Sequence, residues 1–201
     1  MRRVVVLLAL LALALPMAAW ADTITLTNEF GSISISAAGI TSRGSQLSSF
    51  NGITAPAGHA LGSVSFSVGA LTSGSIRWGG TFSSSGSWFT VMGIGKYGEP
   101  KGTIFNGSFV GPVDWTLTSA PGKLNLTYTL SGEIAGALYG GRQATGWTTQ
   151  NIYTINGQLT QGIGHISLGS SQLTTPEPGT LGLLGTGLVG IAGMFRRKLV
   201  G

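Results

Sequence analysis

Residues 22–174 predict an all-β fold, an antiparallel β-sandwich or flattened barrel of about ten strands. Three observations carry this. Apolar residues recur at every second position in run after run, which puts one face of each segment in a core and the other in water. Turn-forming pairs separate the runs at the spacing of an all-β domain. No stretch of this body has the period of an amphipathic helix.

Ahead of the body, Met1-Arg2-Arg3 is a positive start and Val4 to Leu15 an apolar run. Ala19 and Ala21 then flank Trp20 as the small residues of a cleavage site. Residues 1–21 are expected to be a helical signal peptide, handled by the secretion translocon and signal peptidase. The apolar run is too short for a permanent anchor. The body is therefore expected outside the cytoplasm.

Within the body, Ile24 and Leu26 alternate with threonines, and Ile33 and Ile35 with serines. Val64, Phe66 and Val68 alternate with Ser63, Ser65 and Ser67, and Val113, Trp115 and Leu117 oppose Asp114, Thr116 and Thr118. Leu124, Leu126, Tyr128 and Leu130 complete the set. Trp78 and Phe82, then Trp88, Phe89 and Val91, suggest consecutive hairpins. Turns are expected at Asn51-Gly52, Gly79-Gly80, Ser85-Gly86, Gly111-Pro112, Pro121-Gly122, Gly140-Gly141 and Asn156-Gly157. The region Gly39 to Gly62, with Arg43, Pro56 and His59, has no clean alternation and is expected to be a long loop.

Charge and composition exclude several functions. The chain's net charge of +5 comes largely from its two ends. The body holds Arg43, Arg77, Lys96, Lys101, Lys123 and Arg142 against Asp22, Glu29, Glu99, Asp114 and Glu133, which leaves it nearly neutral. No basic stripe remains for nucleic acid. Cysteine is absent, so disulfides, thiolate metal sites and a thiol nucleophile are excluded. The outward positions are Ser, Thr, Asn and Gly with few charges, a surface suited to a hydrated matrix.

No catalytic constellation is evident, and the body is expected not to be an enzyme and to need no cofactor or metal. Gly93 to Gly98 fits a G-x-G-x-x-G pattern, but Glu99-Pro100 follows where a helix would have to start. Glu99, Asp114 and Glu133 are the carboxylates available for a glycosidase pair, and nothing in their spacing brings them together. His59 and His165 lack further metal ligands. A second reading is polysaccharide binding by exposed aromatics. Trp115 and Tyr128 fall on apolar faces and are expected in the core. Trp78, between Arg77 and Gly79, and Trp147, between Gly146 and Thr148 and away from a clean alternation, are the candidates for sugar contact.

The chain closes with TPEPGTLGLLGTGLVGIAGMFRRKLVG, residues 175–201. Pro176 and Pro178 break any helix before Gly179. Residues 179–195 carry no charge, and Arg196, Arg197 and Lys198 follow as a basic stop. As a helix, 179–195 would be roughly 25 Å long, a short transmembrane span. The motif Pro176-Glu177-Pro178, the Gly/Leu-rich segment and the basic tail resemble the PEP-CTERM sorting signal of exported bacterial proteins. The resemblance implies recognition by an exosortase, transient residence in the membrane, and a surface or matrix destination in a Gram-negative, exopolysaccharide-producing cell. On this reading the body is a non-catalytic surface or matrix protein associated with exopolysaccharide.

Overall fold

The structure, a computed structural model, describes residues 22–119, 126–154 and 162–176. The expected signal helix, the transmembrane helix 179–195, the basic tail and the turns at Pro121-Gly122 and Asn156-Gly157 lie outside these residues. Two units separate along the chain: Thr23–Thr174, and the flanking Met1–Asp22 with Thr175–Gly201. The described residues form strands and turns without a helix.

The strands are β1 (Thr23–Glu29), β2 (Ser32–Ser36), β3 (Gly39–Phe50), β4 (Ile53–Thr54), β5 (Gly62–Val68), β6 (Leu71–Ser75), β7 (Gly79–Phe82), β8 (Trp88–Ile94), β9 (Lys101–Leu117), β10 (Thr127–Leu138), β11 (Gln143–Thr154) and β12 (Gly162–Thr174). All pairings are antiparallel. The order β10-β11-β12-β1-β3-β5-β8-β9 closes on itself through β9–β10. The body is thus an eight-stranded closed barrel with extra strands, not two facing sheets. Closure removes the open edges that a weakly charged sheet would leave unprotected.

Several of these strands are pieces of longer staves. β1 and β2 run along β12 with an unchanged offset: Asn28 pairs with Gly169 and Ser32 with His165. They are one stave interrupted at Phe30-Gly31. β7 and β8 likewise lie in succession along β9, pairing with Val113–Trp115 and Lys101–Gly107. β6 pairs with β7 as β5 pairs with β8. The barrel is therefore an up-and-down meander, and β5–β6 with β7–β8 make one long hairpin whose tip is Ile76–Trp78. Ser85-Gly86 is a turn, as expected, with Ser87 N–H donating to the Ser84 carbonyl, but it interrupts that stave and joins no hairpin. Gly111-Pro112 is no turn either; it lies inside β9 where the register against β10 shifts.

The expected long loop is mostly strand. β3 escapes detection because two of its inward residues are Ser42 and Ser45, and a bulge at Gly44 shifts its register between them. The Asn51-Gly52 signal is a tight turn, with φ of 45° and 86°, joining Phe50 to its partner Ile53. Beyond it, Ala55 to Leu61 remains loop.

An eight-stranded barrel is just wide enough for side chains to fill. One side of the interior is aromatic: Phe66, Phe89, Phe105 and Phe109 pack with centroids near 6 Å, and Trp115 stacks on Tyr128 at 4.5 Å. The side formed by β1, β3, β11 and β12 holds a polar cluster among aliphatic residues such as Leu26, Leu47 and Leu173. There Asn28 Nδ2 donates to Ser45 Oγ (2.7 Å) and to Gln150 Oε1 (3.0 Å). Gln150 Nε2 returns a bond to Asn28 Oδ1 and gives another to Thr148 Oγ1, which meets Ser171 Oγ at 2.7 Å. All five side chains are buried. The network crosses the seam where the first strand meets the last, so it pins the register at which the barrel closes.

The seam also fixes where the flanking segments join. Thr23 pairs with Thr174, so both junctions lie at one pole of the barrel. Tracing β3 back to that pole and β5–β6 away from it puts the Ile76–Trp78 tip at the opposite pole.

Candidate functional site

The tip is a rigid mount for an exposed aromatic. Trp115 Nε1 donates to the Ile76 carbonyl (2.7 Å) and Tyr128 Oη to the Arg77 carbonyl (3.0 Å). The two donors are the stacked, buried pair, so the turn is tied directly to the core. Burial pushes the Tyr128 phenol above its ordinary value, and Arg77 partly offsets this; the hydroxyl stays a donor. Trp78 N–H donates to Ser75 Oγ, and the Arg77 guanidinium lies 5.1 Å from the Trp78 ring. Trp78 itself is 63% exposed. An exposed ring whose backbone is already ordered loses little further freedom on binding.

Trp147 is 50% exposed on the outer wall of β11, paired with Glu133 and Gln172. It does stand in a clean alternation, contrary to the sequence expectation. The inward partners of that alternation are Ala144, Gly146, Thr148, Gln150 and Ile152, and the polar ones hide the pattern. No strand pairing brings Trp147 to Trp78. Trp115 and Tyr128 are in the core.

The three carboxylates considered for catalysis are not assembled into a cleft. Asp114 and Glu133 are exposed on the outer wall, Asp114 opposite Ser131 and Glu133 opposite Val110. Glu99 is buried in the loop between β8 and β9, where Oε1 accepts from Lys96 N–H and Oε2 from Tyr97 N–H, both at 2.9 Å. The G-x-G-x-x-G match runs from the end of β8 into that loop, and no helix follows it. Among the described residues no group of three or more metal-ligating side chains occurs.

Burial pushes the Glu99 carboxyl up, but the N–H groups of Lys96, Glu99 itself, Tyr97 and Gly95 together hold it below its ordinary value. A lowered folded pKa stabilises the loop fully above the ordinary glutamate range, and that contribution fades as pH falls through the folded value. The protection factors of the Lys96 and Tyr97 amides, exchange measured against the intrinsic rate at each pH, are thus expected to be high at neutral pH and to fall in acid. Glu99→Gln should abolish the acid dependence; an unchanged pH profile in that variant would show that Glu99 does not hold the loop.

Sequence reading missed a second feature. A groove of about 570 Å³ lies between the outer face of β1 and β3 and the loop after β4. Glu29, Gln46 and Ser48 line it on the barrel side, and Thr54 to His59 on the other. Phe30 lies at its edge, 59% exposed and at φ 61°. The left-handed region costs a non-glycine residue about 1–3 kcal/mol. A phenylalanine followed by glycine inside an otherwise alternating run was the signal available in the sequence.

Residues 174–198 match the PEP-CTERM protein-sorting motif. Thr174, Thr175 and Pro176 of that match are described, whereas Glu177, Pro178 and Arg196 to Lys198 lie outside the described residues. No curated protein and no solved structure matches the chain. The motif marks an exported protein that an exosortase processes at the membrane. Among the described residues no helix is long and apolar enough to cross a membrane.

Proposed function

From a chain that carries an exosortase sorting motif, we infer a non-catalytic surface or matrix module that associates with exopolysaccharide through Trp78. The observation that carries this reading is the rigidly mounted, exposed Trp78 at the pole opposite Thr23 and Thr174. The outer wall supports the same reading, since Thr25, Thr27, Ser32, Ser34 and Thr145 offer hydroxyls rather than charges. Trp147 supplies a second aromatic contact on the side wall. Pro176-Glu177-Pro178 is the exosortase recognition element, residues 179–195 the span, and Arg196, Arg197 and Lys198 its cytoplasmic stop. Cleavage after Ala21 releases the front.

Two variants test this in the native host. Glu177→Ala should leave the sorting segment attached and the protein in the membrane fraction; normal release would show that the motif does not direct processing. Trp78→Ala should fold normally, because the ring is largely in solvent, yet co-sediment with the host's exopolysaccharide roughly tenfold more weakly. Equal co-sedimentation of Trp78→Ala and the parent protein would contradict the assignment.

A further inference from the structure

We propose that the groove between the β1–β3 wall and the Thr54–His59 loop binds a non-acidic oligosaccharide. The proposal rests on the polysaccharide association above and gives it a second, independent contact. The starting point is Phe30. Register along β12 is the same on both sides of the Phe30-Gly31 break, but the inward positions change from Leu26 and Asn28 to Ile33 and Ile35, so the interruption turns Phe30, next in the first alternation, away from the core. Its local effect is to carry a large ring out of the wall at the groove's edge, in a backbone conformation that costs stability. Strain of this kind, at a ring that buries little surface, is what ligand sites retain.

The groove's chemistry fits a sugar. Phe30 gives a flat apolar surface for a pyranose face, while the Gln46 amide, the Ser48 and Thr54 hydroxyls and the His59 imidazole give donors and acceptors for ring hydroxyls. The volume is that of an ordinary small-molecule site. Its outer wall is held in place: Ala55 N–H donates to the Ser48 carbonyl (2.9 Å) and His59 N–H to the Pro56 carbonyl (3.0 Å). Among the described lining residues, with histidine counted neutral, Glu29 alone carries a formal charge. A uronic acid would therefore meet a carboxylate, whereas a neutral or amine-bearing sugar would not be repelled. Glu29 and His59 are too few for a metal site.

The test uses the exported protein purified from its host, with cellohexaose, a chitosan hexamer and a mannuronate hexamer as probes, followed by saturation-transfer NMR. The two non-acidic hexamers should bind and mannuronate should not. Phe30→Gly removes the ring and relieves the left-handed strain, so its Tm should be unchanged or higher while hexamer affinity falls roughly tenfold. Glu29→Gln should admit mannuronate, and Trp78→Ala should leave hexamer binding intact. Undiminished binding by Phe30→Gly, or no binding of either non-acidic hexamer, would overturn the site. If the hexamers fail while the whole exopolysaccharide still co-sediments through Trp78, the groove alone is wrong. Loss of both would remove polysaccharide association altogether.

Discussion

Asn28→Ala is expected to destabilise the barrel by about 2–4 kcal/mol, a Tm lower by roughly 5–15 °C. Asn28 exchanges two amide bonds with Gln150 and gives a third to Ser45, all inside a closed interior. Truncation leaves the Gln150 amide short of a donor and an acceptor where water does not readily replace them. The double variant Asn28→Leu with Gln150→Leu should be less damaging than Asn28→Ala, because both polar partners are removed together. Gly169 tests the same contact by crowding it: a Cβ there would come within 2.2 Å of Asn28 Oδ1 and Gln150 Oε1. Gly169→Ala should cost about 1–3 kcal/mol. Urea denaturation of the four proteins measures all of this. A double variant no better than Asn28→Ala would show that the network is not what makes the seam costly to disturb.

Trp115→Ala should lower stability by about 3–5 kcal/mol and loosen the tip as well. Trp115 stacks on Tyr128, meets Phe82 edge-on at 6.4 Å, and holds the Ile76 carbonyl. Tyr128→Phe separates the two effects. It keeps the stack and removes the bond to the Arg77 carbonyl, for a loss of about 1 kcal/mol. Amide exchange at Trp78 should rise in both variants. A Tyr128→Phe protein with wild-type exchange at the tip would show that the core does not hold Trp78 in place.

How much could be read in advance depended on what faces inward. Val64-Phe66-Val68 and Leu126-Tyr128-Leu130 have apolar inward faces, and their strands and core residues were legible. β3 and β11 were not, because Ser42, Ser45, Thr148 and Gln150 are inward and polar. A two-residue period reports a wet and a dry face and nothing about their chemistry once polar groups pair inside. Nor does it distinguish a sandwich from a barrel. That choice rests on the pairing of β1 with β12 and of β9 with β10, contacts between residues far apart in sequence. Gly111-Pro112 misled because bulges use the same residues as turns, and the turn at Ser85-Gly86 interrupts a stave instead of joining a hairpin. The exposure of Trp78 followed from its Arg and Gly neighbours. The groove beside Phe30 depends on the loop after β4 folding back over β3, which local sequence does not encode.

Export and sorting predict a defined intact mass for the mature protein. Protein recovered from the cell surface and medium of the native host should lack residues 1–21 and everything beyond the Pro176-Glu177-Pro178 region, with the Thr23–Thr174 barrel whole. A mass that still includes Arg196 to Gly201, with the protein confined to the membrane, would contradict it.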